Sequence, residues 1–262
     1  MTSIGQHKRL IQIAPLMVPP SGINHDWSDI STMRKFGNNP DIDTGTTPED
    51  VWSYGGTYTF LSSAATLYAS SSDAGDAVEI TVEGLDADWN VQTSTVTLNG
   101  QSQVEIGSGL TWIRCYRAYN SDSTDLAGDV YVAESDTLTG GVPDTASKVK
   151  AMIVAAEQQT NMAIYTIPAG YTGYFLRGYI SQVISRSSYA VVELRARLFG
   201  GVFRTGIRDG LVSTGSSRID QYYPIPAAYP PKTDIKATVT EVGANNMDIS
   251  AGFDLLLVKN SS

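Results

Sequence analysis

Residues 78–106 read VEITVEGLDADWNVQTSTVTLNGQSQVEI, and this stretch decides the fold class. Val78, Ile80 and Val82 alternate with Glu79, Thr81 and Glu83. A period of two places the apolar set on one face of a pleated strand. Gly84 to Asn90 reads as a loop, and Thr93 to Leu98 resumes the strand. Asn99-Gly100 tolerates the positive φ of a type I′ turn. That predicts Val104 and Ile106 returning antiparallel beside residues 93–98. Strands at 112–119 and 129–133 would complete the sheet.

The same reading extends outward. Residues 151–157, 163–167, 173–181, 190–203, 233–242 and 247–258 each read as a strand, with breaks at Pro168-Ala169-Gly170 and at 241–246. No long amphipathic helix interrupts them. Residues 135–149 (SDTLTGGVPDTASKV) have a linker's small, polar composition. Residues 1–50 lack sustained periodicity and carry Pro15, Pro19, Pro20, Pro40 and Pro48, a pattern of extended chain with short turns. The expected fold is all-β: an extended N-terminal arm and connector (1–50), followed by two antiparallel, jelly-roll-like β-sandwich domains (51–140 and 141–262).

Composition narrows the function classes. The chain has 262 residues and a net charge of −9, with a pI near 4.6. A phosphate-backbone binder needs a basic stripe, and the longest basic run, His7-Lys8-Arg9, is too short for one. No nucleic-acid partner is expected. Nor is a membrane partner, because no run approaches the ~18 apolar residues that a spanning helix requires. A single cysteine, Cys115, precludes an intrachain disulfide or a multi-cysteine zinc site. The start, HKRLIQIAPLMV, imitates a signal peptide but is broken by Gln12 and Pro15 and runs into Pro19-Pro20 without a cleavage site. An arm lying on a neighbouring surface is the expectation instead.

Two segments carry clustered acids. GNNPDIDTGTTPEDVW (37–52) contains Asp41, Asp43, Glu49 and Asp50. An EF-hand counted from Asp41 has Thr46 in place of the glycine and Trp52 in place of the bidentate glutamate. Counted from Asp86, Val91 and Thr97 fill those places. Both loops fail the template, which leaves a weak Ca²⁺ site or, more simply, Asx turns that satisfy local amides. In 47–50, Thr47 fits a helix N-cap, Pro48 the first helical position, and Glu49 and Asp50 the positive end of a short helical turn.

Enzyme templates are absent. Histidine occurs only as His7 and His25, and the chain has no G-x-S-x-G elbow, P-loop or H-E-x-x-H. No catalytic residue, cofactor or metal is expected. Aromatic sets at Trp112, Tyr116 and Tyr119, and at Tyr171, Tyr174, Phe175 and Tyr179, suit either a sugar-stacking face or core packing. The Pro-Tyr segment 222–231 is too rigid and apolar for an ordinary linker. It reads as a seal on the sandwich or as a contact with a partner. The interface candidates are Pro19, Pro20, Trp27, Pro40, Asp41, Asp43, Trp52, Tyr222, Tyr223 and Tyr229.

Three of these segments together, GNNPDIDTGTTPEDVW, VEITVEGLDADWNVQTSTVTLNG and WIRCYRAY, resemble a module of structural proteins of tailed-bacteriophage virions. That group has an N-P-D-I-D-T-x-T-x-P-E-D connector ending in V or I and W, a G-L-D-x-x-W/Y-N loop and a T-V-T-L-N-G hairpin. The segments YTIPAGYTGYFLRGYI, GGVFR and DISAGFDLLLVK are similar to its C-terminal β-rich part. The resemblance spans most of the chain from about residue 36. It implies a non-enzymatic virion component with no catalytic residues to carry over. The implied partners are other virion proteins, either the major capsid protein or tail proteins, and further copies of the chain, as a homotrimer. Three roles follow as expectations: capsid decoration or cement, a tail fibre or fibre adaptor touching the host surface, and least of all a polysaccharide depolymerase.

Overall fold

The computed structural model describes residues 29–183, 187–213 and 217–260. In chain order the strands are β1 (Ile30–Ile42), β2 (Glu49–Asp50), β3 (Tyr68–Ser71), β4 (Glu79–Leu85), β5 (Val91–Thr97), β6 (Val104–Glu105), β7 (Arg114–Asn120), β8 (Val130–Ala133) and β9 (Leu138–Thr139). They continue as β10 (Val142–Pro143), β11 (Val149–Ile153), β12 (Ile164–Thr166), β13 (Tyr171–Val183), β14 (Ser188–Arg197), β15 (Arg204–Ser213), β16 (Ser217–Tyr229), β17 (Asp234–Val242) and β18 (Met247–Lys259). The chain is all-β, built from several small antiparallel sheets. Their orders are β5-β4-β7, β11-β8-β3-β6, β10-β9, β1-β18-β13-β16 and β12-β17-β14-β15, with β2 added to β17.

The alternation that opened the sequence is realised in β4, where Ile80 and Val82 are fully buried. The strand pairs β5 on one side and β7 on the other. The hairpin joining β4 to β5 closes at Asp86, whose Oδ1 accepts the N–H groups of Asp88 and Asn90 at 2.9 Å each, so this loop is an Asx turn.

The second expected hairpin takes a different course. Gly100 does adopt a positive φ of 52°, and Ser102 donates its N–H to the Asn99 carbonyl at 3.0 Å. The chain then leaves β5, and Val104 and Glu105 pair with Ala69 and Tyr68 of β3. β5 exposes most of its side chains to solvent. Pairing beside it would strand Ile106, which is fully buried on the route taken. Burial of one large apolar side chain, worth about 1.5–3 kcal/mol, favours that route.

Residues 135–149 are not a linker. They form the β9–β10 hairpin, and Val149–Ile153 pairs with β8. The chain therefore stays with the first group of sheets beyond the expected boundary at 140. The expected single strand over 190–203 is broken at Leu198, where Gly201 donates to the Leu198 carbonyl at 2.8 Å, and β15 turns back along β14.

Part of the expected arm is a strand: β1 pairs with β18 over almost its whole length, from Ile30↔Val258 to Ile42↔Met247. The short helix expected at 47–50 is also replaced. The Thr47-Pro48 peptide is cis, and Glu49 and Asp50 form β2 against Val239 and Thr238. A helix cap is worth ~1 kcal/mol, whereas β2 brings Asp50 to a buried ion pair and carries Val51 and Trp52 into the core.

Inward residues of the β1-β18-β13-β16 and β12-β17-β14-β15 sheets line a common apolar space of about 40 Å³, among them Phe175, Ile180, Val192, Ile207 and Ala251. The buried apolar residues of all the larger sheets form one continuous cluster.

Candidate assembly interface

The connector is built from its acids. Asp50 is fully buried. Its Oδ2 accepts from Lys236 Nζ and from the Tyr58 N–H, both at 2.7 Å, and its Oδ1 from Thr238 Oγ1 at 2.6 Å. Glu49 Oε2 accepts from the Gly56 N–H at 2.8 Å and from Asn39 Nδ2 at 3.0 Å. Asp43 Oδ1 takes the Asn246 N–H at 2.8 Å, and Asp41 Oδ1 takes Asn246 Nδ2 at 2.9 Å. Asp50 thus ties the connector onto β17, Asp41 and Asp43 tie it onto the β17–β18 turn, and Glu49 ties it to β1 and its own following turn. Among the described residues, no three His, Cys, Asp or Glu side chains gather as a metal-binding group.

In the β1-β18-β13-β16 sheet, the edge opposite β1 is β16. It is joined to β13 by antiparallel pairing from Gly173↔Tyr229 to Gln182↔Ser217, and ion pairs reinforce it. Arg177 forks onto Asp220 and reaches Asp254 at 3.5 Å, and Arg34 of β1 meets Asp254 at 3.1 Å. This ladder crosses all four strands on one face. The Arg177 hydrogen bond holds the Asp220 carboxyl down at about 2, below the ordinary aspartate value.

Beyond Tyr222 the ladder breaks. Pairing passes from Arg177↔Tyr222 to Phe175↔Ala227, so Tyr223, Pro224, Ile225 and Pro226 stand opposite Leu176 alone. Pro224 and Pro226 have no N–H to donate, which forces the backbone out of the ladder. Tyr223 turns inward onto Phe175, ring centroids 5.3 Å apart. Ile225 is left 87% exposed, Tyr222 65%, and Val212 of β15 82%. Tyr222 also lies 5.2 Å from the Arg177 guanidinium, which steadies its ring. The two roles expected of the Pro-Tyr segment are divided between neighbours: Tyr223 seals the sheet and Tyr222 points out.

The remaining candidates distribute as follows. Pro19, Pro20 and Trp27 lie outside the described residues, as do His7 and His25. Pro40 and Asp41 sit at the exposed irregularity of β1 between Asn39 and Ile42. Trp52 is buried in the core, donates from Nε1 to the Gly56 carbonyl at 3.2 Å and packs on Tyr58. Tyr229 is half-buried opposite Gly173. Trp112, Tyr116 and Phe175 are core, whereas Tyr119, Tyr171, Tyr174 and Tyr179 are half-buried. Cys115 is buried as well, and burial pushes its thiol up to about 12.

Sequence reading missed Val212, Ile225 and the Arg177–Asp220 fork. The signal for Ile225 was present, a large aliphatic held between two prolines. Nothing local marked the fork, because its partners are 43 residues apart.

No known family model matches the chain, and no curated protein matches it. Among solved structures, one of the infectious bursal disease virus Gx strain aligns at 12% identity over 95% of this chain and 78% of that one, with a TM-score of 0.26. The VP2 subviral particle of that virus aligns at 13% identity over 95% and 78%, TM-score 0.21. At these scores the likeness carries no argument about fold or role.

Proposed function

We propose that the protein is a non-enzymatic structural component of a tailed-bacteriophage virion. In this reading it is an outer protein that decorates or cements the capsid, docks through its N-terminal arm and assembles with further copies as a trimer. Two jelly-roll-like sandwiches belong to the same reading. The observation that carries it is the outward edge strand β16, where Tyr222 and Ile225 present apolar groups to solvent from a proline-stiffened strand. Large aromatic and aliphatic groups held at low entropy are the material of protein interfaces. Pro224 and Pro226 remove backbone donors from this edge, so contact there is made by side chains, with strand addition disfavoured. The phage-like segments of the sequence supply the biological setting.

Peptide mass spectrometry of purified particles tests the reading. The expected result is many copies per particle, and absence from washed particles would defeat it. Detection at the tail, with none on the shell, would move the protein to a fibre or fibre-adaptor role.

A further inference from the structure

Where the first sheets meet the β12-β17-β14-β15 sheet there is a cleft of about 310 Å³, lined by Phe60, Trp89, Arg114, Arg197, Phe199 and Asp234. Its floor is a buried ion cluster. Arg114 of β7 forks onto both oxygens of Asp234 at 2.7 and 3.0 Å, Arg197 of β14 binds Oδ2 from Nε and Nη2 at 3.0 and 2.6 Å, and Thr166 Oγ1 binds Oδ1 at 2.6 Å. Both carboxylate oxygens are therefore saturated. Arg114 directs Nη1 to the Leu61 and Ile113 carbonyls. Arg197 differs: among the described residues nothing accepts from its Nη1, and its guanidinium lies between the rings of Phe60 and Phe203 at 4.9 and 4.6 Å.

The charge does not balance. Arg114 and Arg197 share Asp234 alone, and Lys232 holds its Nζ 5.6 Å from the Trp89 ring and 5.1 Å from the Phe199 ring of the cleft, with no carboxylate in salt-bridge range among the described residues. Lys236 is already matched by Asp50. The result is a cationic, aromatic-walled recess in a chain of net charge −9. Structural pairing explains Asp234 but leaves the open amino group of Arg197 and the second excess cation without a role.

The rim identifies the kind of ligand. The β14–β15 turn exposes Leu198, Phe199 and Val202 beside the cleft. An apolar rim around a partly buried arginine suits a peptide contact, whereas a sugar acid would need hydrogen-bonding groups at the rim for its hydroxyls. We propose that this cleft receives an acidic peptide segment of a neighbouring protein subunit, with an Asp or Glu carboxylate on the free edge of Arg197 and its apolar neighbours on Phe199 and the turn. The geometry stands independently of the virion reading, since it requires only a protein partner.

The full chain would be titrated calorimetrically with a blocked pentapeptide, acetyl-Gly-Leu-Asp-Leu-Gly-amide, with its Asn counterpart, and with glucuronate. The Asp peptide should bind at least about tenfold tighter than the Asn peptide, as expected for a charge-assisted fork. Arg197→Gln should abolish that preference. Because Arg197 also braces Asp234, Phe199→Ser on the exposed turn serves as the second variant; it should weaken both peptides and leave the unfolding temperature unchanged. Equal binding of the Asp and Asn peptides, or binding of neither, would overturn the proposal. Glucuronate bound more tightly than the Asp peptide would overturn it too, by assigning the cleft to an acidic sugar.

Discussion

β1 and β16 are the two edges of one four-stranded sheet, and the chain treats them in opposite ways. Along β1, Lys35, Gly37 and Asn39 are buried against the rest of the molecule. Lys35 donates to the Tyr116 carbonyl, and Asn39 Nδ2 reaches both Glu49 and the Asp50 carbonyl. Along β16, the strand bulges outward at two prolines and leaves Tyr222 and Ile225 in solvent. One edge is closed by the connector, and the other presents apolar side chains to solvent. The difference lies in what covers each edge: the one nearest the connector is consumed intramolecularly, and the other is not.

The largest effect should come from the tie that holds the connector down. Asp50→Ala leaves Lys236 charged and buried without its partner, and breaking a buried pair by removing one member costs about 3–5 kcal/mol. Urea unfolding should show a loss of that size, and a loss below ~1 kcal/mol would mean that the pair does not close this edge.

Next in size is Gly37→Ala. A Cβ there would lie 2.3 Å from both the Ala163 nitrogen and the Val51 oxygen, backbone on two sides. Overpacking of this kind costs about 1–3 kcal/mol. The same measurement checks it, and an unchanged midpoint would show that β1 can move away from β12 and the connector.

A third prediction concerns pH. Burial pulls the Lys35 ammonium down to about 7 from 10.5. The unfolded chain therefore holds a proton that the folded chain releases, and stability rises with pH above about 7 and is flat below it. The Cys115 thiol, raised by burial from 9.0 to about 12, acts in the opposite direction above pH 9. The window that isolates Lys35 is therefore about pH 7 to 8.5. Unfolding midpoints should climb across it in the parent protein and stay level in Lys35→Met; parallel profiles would contradict the sealed environment.

The smallest stability effect belongs to the other edge. Ile225→Ser and Tyr222→Ser change surface groups, and such changes stay within about 0.5 kcal/mol. A larger loss in either would show that β16 holds the sheet together and does not serve a partner.

How far these edges were legible depends on where their partners lie. β4, β17 and β18 announce themselves because apolar residues alternate along them, as in Ile249, Ala251, Phe253, Leu255 and Leu257, all buried. β1 gives no such signal: over 35–39 its buried set is Lys35, Gly37 and Asn39, polar or small, and its one large apolar residue there, Phe36, lies on the alternate set. β15 carries two glycines and three charges in RTGIRDGLVS, and β16 carries prolines, so neither passes a strand test applied to sequence alone. The connector was misread for a related reason. Thr47 to Asp50 satisfies every local rule for a helix start, but the partner that overrides those rules, Lys236, is 186 residues away. Asp86 obeys local rules and was legible, since its acceptors and donors lie within four residues. The Arg114–Asp234–Arg197 cluster spans three strands and left no trace in any single segment.

Truncations follow the same logic. Deletion of an N-terminal arm has to stop short of Ile30, because removal to residue 36 takes away Lys35 and half of β1 with it.

The central claim is that β16 is the outward, assembling edge. It is tested most directly by loading a folded Tyr222→Asp/Ile225→Asp double variant onto phage particles in competition with the parent protein and quantifying both by mass spectrometry. The account predicts a variant that unfolds at the parent's temperature and is depleted from particles at least about tenfold, as charges placed in a desolvated contact require. Equal loading of the two proteins would contradict it.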